Sequence, residues 1–156
     1  MLDFIRIACA VPAVRVGDTA KNAEDICAYI GKADAEQADI VLFPELALTG
    51  YTCQDLFFQD ILWTGVQQGI RKIADCTEDH PNVTAAVGLP VRTGMRLYNC
   101  AAVISRGKIH ALVPKTYIPN YNEFYEKRWF SSGAEVTEDV AELLGEPVPI
   151  LPRAVF

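Results

Sequence analysis

Apolar and polar positions alternate with two different periods along the first part of the chain. Residues 4–11 are apolar at all positions but one and predict a strand buried on most of both faces. Asp18 or Thr19 can cap a helix that follows. The apolar stripe of this helix consists of Ala23, Ile26, Ile30 and Ala33. A second apolar run, 39–43, ends at Pro44. The pattern predicts the strand–helix–strand unit of a parallel or mixed sheet covered by helices.

A loop and a second helix are predicted next. Residues 46–54 show no clear period and contain Gly50, which is typical of a loop. Asp55 is predicted to cap a helix that ends before Pro81. The apolar stripe of this second helix consists of Leu62, Val66, Ile70 and Ile73.

Three turn-linked strands follow the second helix. They are predicted at residues 83–91, 97–105 and 108–113. Turns at Gly94 and Gly107 separate them, so part of the sheet is predicted to be antiparallel. After an aromatic and charged segment, the apolar stretch 148–156 predicts that a further strand begins there.

Composition and charge exclude several classes of protein. The chain has 156 residues, of which 51% are hydrophobic and 22% charged, so we expect one globular domain. A net charge of −6 argues against nucleic-acid binding. No apolar run approaches the roughly 20 residues of a membrane span, and no signal peptide is evident. The cysteines are Cys9, Cys27, Cys53, Cys76 and Cys100. Their scattered positions argue against a disulfide framework or a zinc site, so we expect a cytoplasmic, metal-free protein.

Two charged side chains follow predicted strands, and a proline precedes each of them. Glu45 lies in Phe-Pro-Glu and Lys115 in Pro-Lys-Thr. Open α/β sheets place their sites at the C-terminal ends of strands. A buried carboxylate there would suit a general base, and a cation would stabilise a developing oxyanion. Taken singly, each residue is better explained as a solvent-exposed loop position.

Aromatic rings and carboxylates are interleaved in residues 121–126. Tyr121, Glu123, Phe124, Tyr125 and Glu126 could line a small polar pocket whose carboxylates bind an amino group. The segment could equally be a short amphipathic helix with its rings packed inward and its charges facing water.

Four motifs in this order resemble the nitrilase superfamily of carbon–nitrogen hydrolases. Phe-Pro-Glu with the following Thr-Gly-Tyr resembles the family's glutamate motif, and Pro-Lys-Thr-Tyr resembles its lysine motif. Gly-Leu-Pro at 88–90 and Leu-Tyr-Asn-Cys-Ala at 97–101 resemble the strand pair between them. Residues 49–57 and 119–126 are most similar to the glutaminase domain of glutamine-dependent NAD synthetases.

The resemblance implies hydrolysis of glutamine by a glutamate, a lysine and a cysteine. The ammonia would serve ATP-dependent NAD synthesis from nicotinic acid adenine dinucleotide. Carried onto this sequence, Glu45 would be the general base and Lys115 the oxyanion stabiliser. Glu126 would be the supporting glutamate, and Tyr121 would contact glutamine. No cofactor or metal is implied for this reaction, whereas ATP and Mg would belong to a C-terminal synthetase domain.

The same resemblance implies an α/β (α+β) fold, a partial α-β-β-α sandwich with a mixed sheet. Residues 1–156 would be the N-terminal part of one carbon–nitrogen hydrolase domain. Its uncovered sheet edges and inner face would favour association, so we expect a homo-oligomer.

The family's nucleophile follows its lysine motif, whereas no cysteine follows Cys100 in this chain. Cys9 and Cys100 lie in predicted strands and are expected to be buried and inert. Cys53, in the loop after Glu45, is the one plausible reactive thiol, but it fits a loop position of the synthetase-like motif. We therefore expect the nucleophile beyond Phe156 and an inactive isolated chain.

Two alternative functions remain at this stage. One is a different nitrilase-family amidase or carbamoyl hydrolase, and the other is a non-catalytic nitrilase-like scaffold. A Ser-Gly-Gly-x-Asp-Ser signature later in the parent chain would indicate the synthetase.

Overall fold

The computed structural model describes residues 4–153 and contains a five-stranded sheet with two α-helices packed on one face. The sheet has the order β1-β2-β3-β4-β5, and a separate hairpin pairs β6 with β7. The elements in chain order are β1 (Ile7–Cys9), α1 (Thr19–Ala35), β2 (Ile40–Leu42), α2 (Asp60–Glu78), β3 (Thr84–Thr93), β4 (Arg96–Ser105), β5 (Lys108–Pro114), β6 (Val140–Leu143) and β7 (Glu146–Pro149). Short 3₁₀ turns occupy Gln54–Phe58, Glu126–Arg128 and Gly133–Glu135.

The sheet is mixed, as the sequence pattern predicts. Strands β1, β2 and β3 pair in parallel and are linked through the two helices, whereas β3, β4 and β5 pair antiparallel. Connections longer than a turn are needed between parallel strands, and the two helices provide them. As a result, β2 and β5 end at the same edge of the sheet, beside the start of β4.

The first helix forms as predicted, and the second begins later than predicted. The Asp18 carboxylate accepts a hydrogen bond from the Lys21 amide at 3.0 Å and caps α1. Asp55 does not cap α2, which begins at Asp60, because its carboxylate binds Arg128 instead. The predicted apolar stripes of both helices are buried against the sheet. Within residues 4–153, no helix is both long and apolar enough to cross a membrane.

The face of the sheet opposite the helices is open at its β1 edge. We predicted that residues 4–11 form a strand buried on most of both faces, and this is wrong. Only Ile7–Cys9 forms a strand, Ile7 is 55% exposed, and Cys9, predicted to be buried, is also exposed. Leu42 on β2 lies next to Cys9 in the sheet and is 40% exposed. The reason is that one layer of helices covers only one face, so side chains on the other face meet solvent.

The predicted strand at 148–156 is split. Its first residues belong to β7, which ends at Pro149. Ile150 then forms a parallel bridge with Leu112 of β5, and the Leu151 amide donates to the Leu112 carbonyl at 2.8 Å. The chain therefore starts a new pairing along the edge of β5. Residues 154–156 of the predicted strand lie outside the described residues.

The open face gives a testable expectation for the isolated chain. We expect residues 1–156 to self-associate, because apolar side chains such as Ile7 lose water contact when two copies meet. Ile7→Lys should shift the chain toward monomer in size-exclusion chromatography with light scattering. Ile61→Lys is the matched control, since Ile61 is 81% exposed on α2, in the helical layer that covers the opposite face of the sheet. A wild-type chain that remains monomeric at about 100 μM would contradict this expectation.

Candidate functional site

Glu45 lies at the edge of the sheet where β2 ends. The parallel pairing continues past the strand, since the Phe43 amide donates to the Ala86 carbonyl at 3.0 Å. The Leu48 amide then donates to the Gly88 carbonyl at 3.1 Å and anchors the turn that carries Glu45. The predicted position after a strand is confirmed. Of the two alternatives for Glu45, a buried carboxylate and a solvent-exposed loop position, the structure has the second, because the side chain is 40% exposed where one face of the sheet has no covering layer.

Lys115 directly follows β5, and its ammonium group contacts two carboxylates. Lys115 Nζ lies 2.7 Å from Glu45 Oε1 and 3.0 Å from Glu126 Oε2. Its backbone is held on both sides. The Lys115 amide donates to the Asn99 carbonyl at 2.7 Å, and its carbonyl accepts from the Gly133 amide at 2.8 Å. The fold thus brings together the three side chains for which the family resemblance implies catalytic roles.

Glu126 is the buried member of this cluster. Its side chain is 3% exposed, and one of its oxygens accepts a hydrogen bond from the Tyr51 hydroxyl at 2.5 Å. The amphipathic-helix alternative for residues 121–126 is wrong, because no α-helix forms there and the charge faces inward while Tyr125 is 49% exposed. A buried carboxylate needs such partners, and Lys115 and Tyr51 provide them.

The carboxylates around Lys115 keep its side chain charged. Burial alone lowers the pKa of Lys115, but the hydrogen bonds and charges of Glu45 and Glu126 raise it more, so the net pKa lies above its ordinary value. Burial, followed by the hydrogen bond to Glu126, also raises the pKa of Tyr51. At neutral pH the site therefore contains an ammonium group and a protonated phenol. A permanent cation suits stabilisation of negative charge rather than proton abstraction.

Two residues that contribute to the site, Asn99 and Tyr51, were not among the predicted site residues. The Asn99 side-chain amide donates to Glu45 Oε1, the oxygen that also contacts Lys115. The Tyr51 hydroxyl donates to Glu126. Both residues belong to motifs that carry the family resemblance. Their place in these motifs was the feature of the sequence that could have indicated a role in the site. Within residues 4–153, Oε2 of Glu45 has no hydrogen-bond partner, so this oxygen can exchange a proton with a ligand.

Tyr121 stands apart from this cluster. Its side chain is 64% exposed and packs edge-to-face on Phe124, with ring centroids 5.9 Å apart. Its side chain makes no hydrogen bond to another residue of the described segment. Contact of Tyr121 with glutamine stays a prediction.

A shallow groove of about 450 Å³ runs along the open face of the sheet beside the charged cluster. Glu45, Asn99 and Lys115 line one end. Small side chains of the central strands form its floor, namely Ala86, Gly88 and Ala101. A groove with polar groups at one end and small side chains beneath can accept an extended ligand or another segment of chain.

Cys100 is the one cysteine among the residues that line this groove, and its side chain is buried. None of the five is disulfide-bonded within the described part of the chain. Cys53 and Cys100 are buried, and burial raises the pKa of both thiols. The Cys53 thiol also donates to the Thr49 carbonyl at 3.1 Å. Because a nucleophile must be an accessible thiolate, burial argues against Cys53 in that role. Cys9 is exposed, but it lies on β1 and does not contribute to the groove. No cluster of His, Cys, Asp and Glu that could hold a metal occurs in residues 4–153.

Close backbone contacts at a glycine support the Glu45 turn. A Cβ atom at Gly88 would lie 2.4 Å from the Leu46 nitrogen and 2.6 Å from the Pro44 oxygen. These are backbone atoms, so they cannot move aside as a flexible side chain can. The absence of a side chain at Gly88 therefore allows β3 to approach the turn that positions Glu45.

We expect Gly88→Ala to lower the free energy of unfolding of this chain by about 1–3 kcal/mol, because the added methyl group displaces that backbone. Chemical denaturation measures the change. Gly31→Ala is the matched control, since its added Cβ would lie 3.4 Å from the His80 ring inside a helix, where alanine is favoured. Equal stability of the two variants would contradict the account of Gly88.

The described site combines one ammonium group with two carboxylates. Glu45 offers a carboxylate oxygen for proton transfer, and Lys115 offers a cation about one hydrogen-bond length away from it. Glu126 holds that cation through a second ion pair. An accessible nucleophile is the component that the described residues do not place here.

Comparison with protein families gives a match over most of the chain. The carbon-nitrogen hydrolase family matches residues 6–146. The glutamine-dependent NAD(+) synthetase of Xylella fastidiosa (strain 9a5c) is 38% identical over 152 residues, which cover 97% of this chain and 27% of that protein. The same-named protein of Mycobacterium tuberculosis (strain ATCC 25618 / H37Rv) is 36% identical over 130 residues, covering 83% of this chain and 19% of that protein. The chain thus spans about a fifth to just over a quarter of the length of these relatives.

Solved structures agree with the fold. A glutamine-dependent NAD(+) synthetase from Cytophaga hutchinsonii superposes with a TM-score of 0.81 at 27% identity, covering 94% of this chain and 25% of that one. An amidase of the nitrilase superfamily from Nesterenkonia AN1 superposes with a TM-score of 0.72 at 22% identity, covering 94% of this chain and 55% of that one. The partial nitrilase-type fold with a mixed sheet is therefore confirmed.

Proposed function

The chain belongs to the carbon-nitrogen hydrolase family, and on this premise we propose that residues 1–156 form the first part of a glutamine amidohydrolase domain. Its ammonia would be used for ATP-dependent NAD synthesis by a synthetase domain C-terminal to it. The observation that carries the proposal is Lys115, whose ammonium group lies between the carboxylates of Glu45 and Glu126 at the end of an open groove. The glutamine-dependent NAD(+) synthetases among its relatives support the choice of glutamine as substrate.

In the proposed reaction, a cysteine outside this chain attacks the side-chain amide carbon of glutamine. Glu45 takes the thiol proton and returns it to the amide nitrogen, so that the carbon–nitrogen bond breaks and ammonia leaves. Lys115 stabilises the oxyanion of the tetrahedral intermediate. Water then attacks the thioester, Glu45 accepts its proton and returns a proton to the sulfur, and glutamate leaves. The net reaction consumes one water per glutamine.

The neighbouring side chains have positioning roles in this scheme. Glu126 holds Lys115 through a second ion pair, and Tyr51 fixes Glu126 by a hydrogen bond. Asn99 orients Glu45 by donating to the same oxygen that Lys115 contacts. Tyr121 would contact bound glutamine. None of these steps uses a metal or cofactor, and ATP and Mg would act in the synthetase domain.

The experiment is an assay of the full-length protein encoded by the gene for this chain. We expect it to release ammonia from glutamine, and with ATP, Mg and nicotinic acid adenine dinucleotide to form NAD with glutamine as nitrogen donor. Ammonia release from small amides or carbamoyl compounds, but not from glutamine, would indicate the amidase alternative. No release from any amide by a folded protein would overturn the catalytic proposal and favour a scaffold.

A further inference from the structure

The Asp55 carboxylate is the acceptor for three hydrogen bonds from one neighbouring segment. Arg128 Nε donates to Oδ1 and Arg128 Nη2 to Oδ2, each at 2.7 Å, and Trp129 Nε1 donates to Oδ1 at 2.9 Å. The two arginine contacts form the paired geometry that fixes orientation as well as distance. The hydrogen bond from Arg128, followed by that from Trp129, lowers the pKa of Asp55 to about 2. The carboxylate is therefore ionised at neutral pH.

The same two segments meet at further points. Phe57, two residues after Asp55, packs edge-to-face on Phe130 with ring centroids 4.9 Å apart. Tyr51, four residues before Asp55, donates to Glu126. Residues 51–58 and 126–130 are thus joined by the hydrogen bonds of Tyr51 and Trp129, by the paired ionic contact and by aromatic packing. We refer to this arrangement as the Asp55 clamp.

The clamp matters because Glu126 has little regular structure of its own. It begins a three-residue 3₁₀ turn that ends at Arg128, and the segment just before it is largely exposed. Glu126 must nevertheless stay within hydrogen-bond distance of Lys115. Arg128, two residues further on, is the point at which the turn is fastened to Asp55.

Stability alone does not explain the ion pair between Asp55 and Arg128. Asp55 and Arg128 are more than half exposed, with side-chain exposures of 58% and 54%, and exposed ion pairs contribute little to folding. Even at a surface, a paired contact fixes the relative orientation of the two side chains, because the planar guanidinium fits a carboxylate in one orientation.

We propose that Asp55 is a positioning residue for the site: it holds the Glu126 turn so that the Glu126 carboxylate stays on Lys115. The effect of Asp55 on catalysis rests on the proposed function, whereas its effect on the position of the Glu126 carboxylate does not. Asp55→Asn removes the charge and one acceptor oxygen while keeping the size of the side chain. Arg128→Lys breaks the paired contact from the other side.

The first readout is the NMR signal of the Lys115 ammonium group in the 156-residue chain, assigned by its loss in Lys115→Met. We expect Asp55→Asn and Arg128→Lys to shift this signal, and to lower the pKa of Lys115, in the same direction as Glu126→Gln. Glu24→Gln is the matched control, because it breaks an exposed ion pair of similar length, 3.2 Å to Lys72, between the two helices and away from the site. It should leave the Lys115 signal unchanged.

The second readout is ammonia release by the full-length protein. We expect Asp55→Asn to lower kcat about 10- to 100-fold with KM changed less than about threefold, because displacement by about an ångström is that costly for a positioned group. Asp55→Glu should recover part of the loss.

The outcomes separate the two proposals. An unchanged Lys115 signal in Asp55→Asn, with or without a lower melting temperature, would overturn the positioning role. If the Lys115 signal shifts in Asp55→Asn but the full-length wild-type protein does not hydrolyse glutamine, the positioning role of Asp55 stands and the proposed function is rejected.

Discussion

Replacing Lys115 with methionine is expected to lower kcat for glutamine hydrolysis by the full-length protein about 10²–10³-fold, the cost of removing one oxyanion-stabilising group. Methionine keeps most of the side-chain volume but has no charge. It also leaves the carboxylates of Glu45 and Glu126 close together without the cation between them. Steady-state ammonia release measures the change.

The matched control is Lys108→Met. Lys108 opens the strand that Lys115 follows, so the same substitution is made at the opposite end of β5, on an exposed residue. Its kcat should stay within about twofold of wild type, as for an ordinary surface substitution. A Lys115→Met variant as active as this control would contradict the role of Lys115.

Replacing Glu45 with glutamine is expected to lower kcat about 10²–10⁴-fold, the contribution of a positioned general acid–base group. Glutamine is nearly isosteric and can still accept a hydrogen bond from Asn99, but it cannot take up the thiol proton. KM should change much less than kcat. This separation distinguishes lost proton transfer from a displaced substrate.

Glu24→Gln is the control here also, since Glu24 is an exposed carboxylate that contacts Lys72 between the two helices. Both variants replace a glutamate with a glutamine, and they differ only in the position of the substitution. If Glu45→Gln raised KM and left kcat unchanged, Glu45 would be a binding residue, and the proposed mechanism would be wrong.

Most of the fold follows from local pattern. The helical stripes and the turn-linked strands are recognisable because burial on one face repeats at a period that the sequence displays. The exposure of Ile7 and Cys9 was not predictable in this way. A run that is apolar at all positions but one fits burial on both faces, and the pattern does not indicate whether a second layer lies over it.

Asp55 illustrates a different limit. An aspartate before an apolar stripe fits a helix cap, yet its partners are Arg128 and Trp129, about 73 residues further along the chain. Tertiary contact at that separation overrides a local preference and moves the start of α2 to Asp60.

The site was predictable in its position and less so in its connections. Two strand ends and the family motifs indicated Glu45 and Lys115, which are separated by 70 residues and lie 2.7 Å apart at their charged atoms. Side-chain partners such as Asn99 and Tyr51 come from other elements, and no spacing rule links them to their carboxylates. The burial of Glu126 was one of two open alternatives, because a carboxylate among aromatic residues can line a pocket or face water.

The location of the nucleophile tests the central claim most directly. The full-length protein is quenched in acid while it turns over glutamine, and its peptides are searched by mass spectrometry for a γ-glutamyl group on sulfur. We predict this group on a cysteine outside residues 1–156, at a lower occupancy in Glu45→Gln and Lys115→Met. A γ-glutamyl group on Cys53, or on any other cysteine of this chain, would contradict the account.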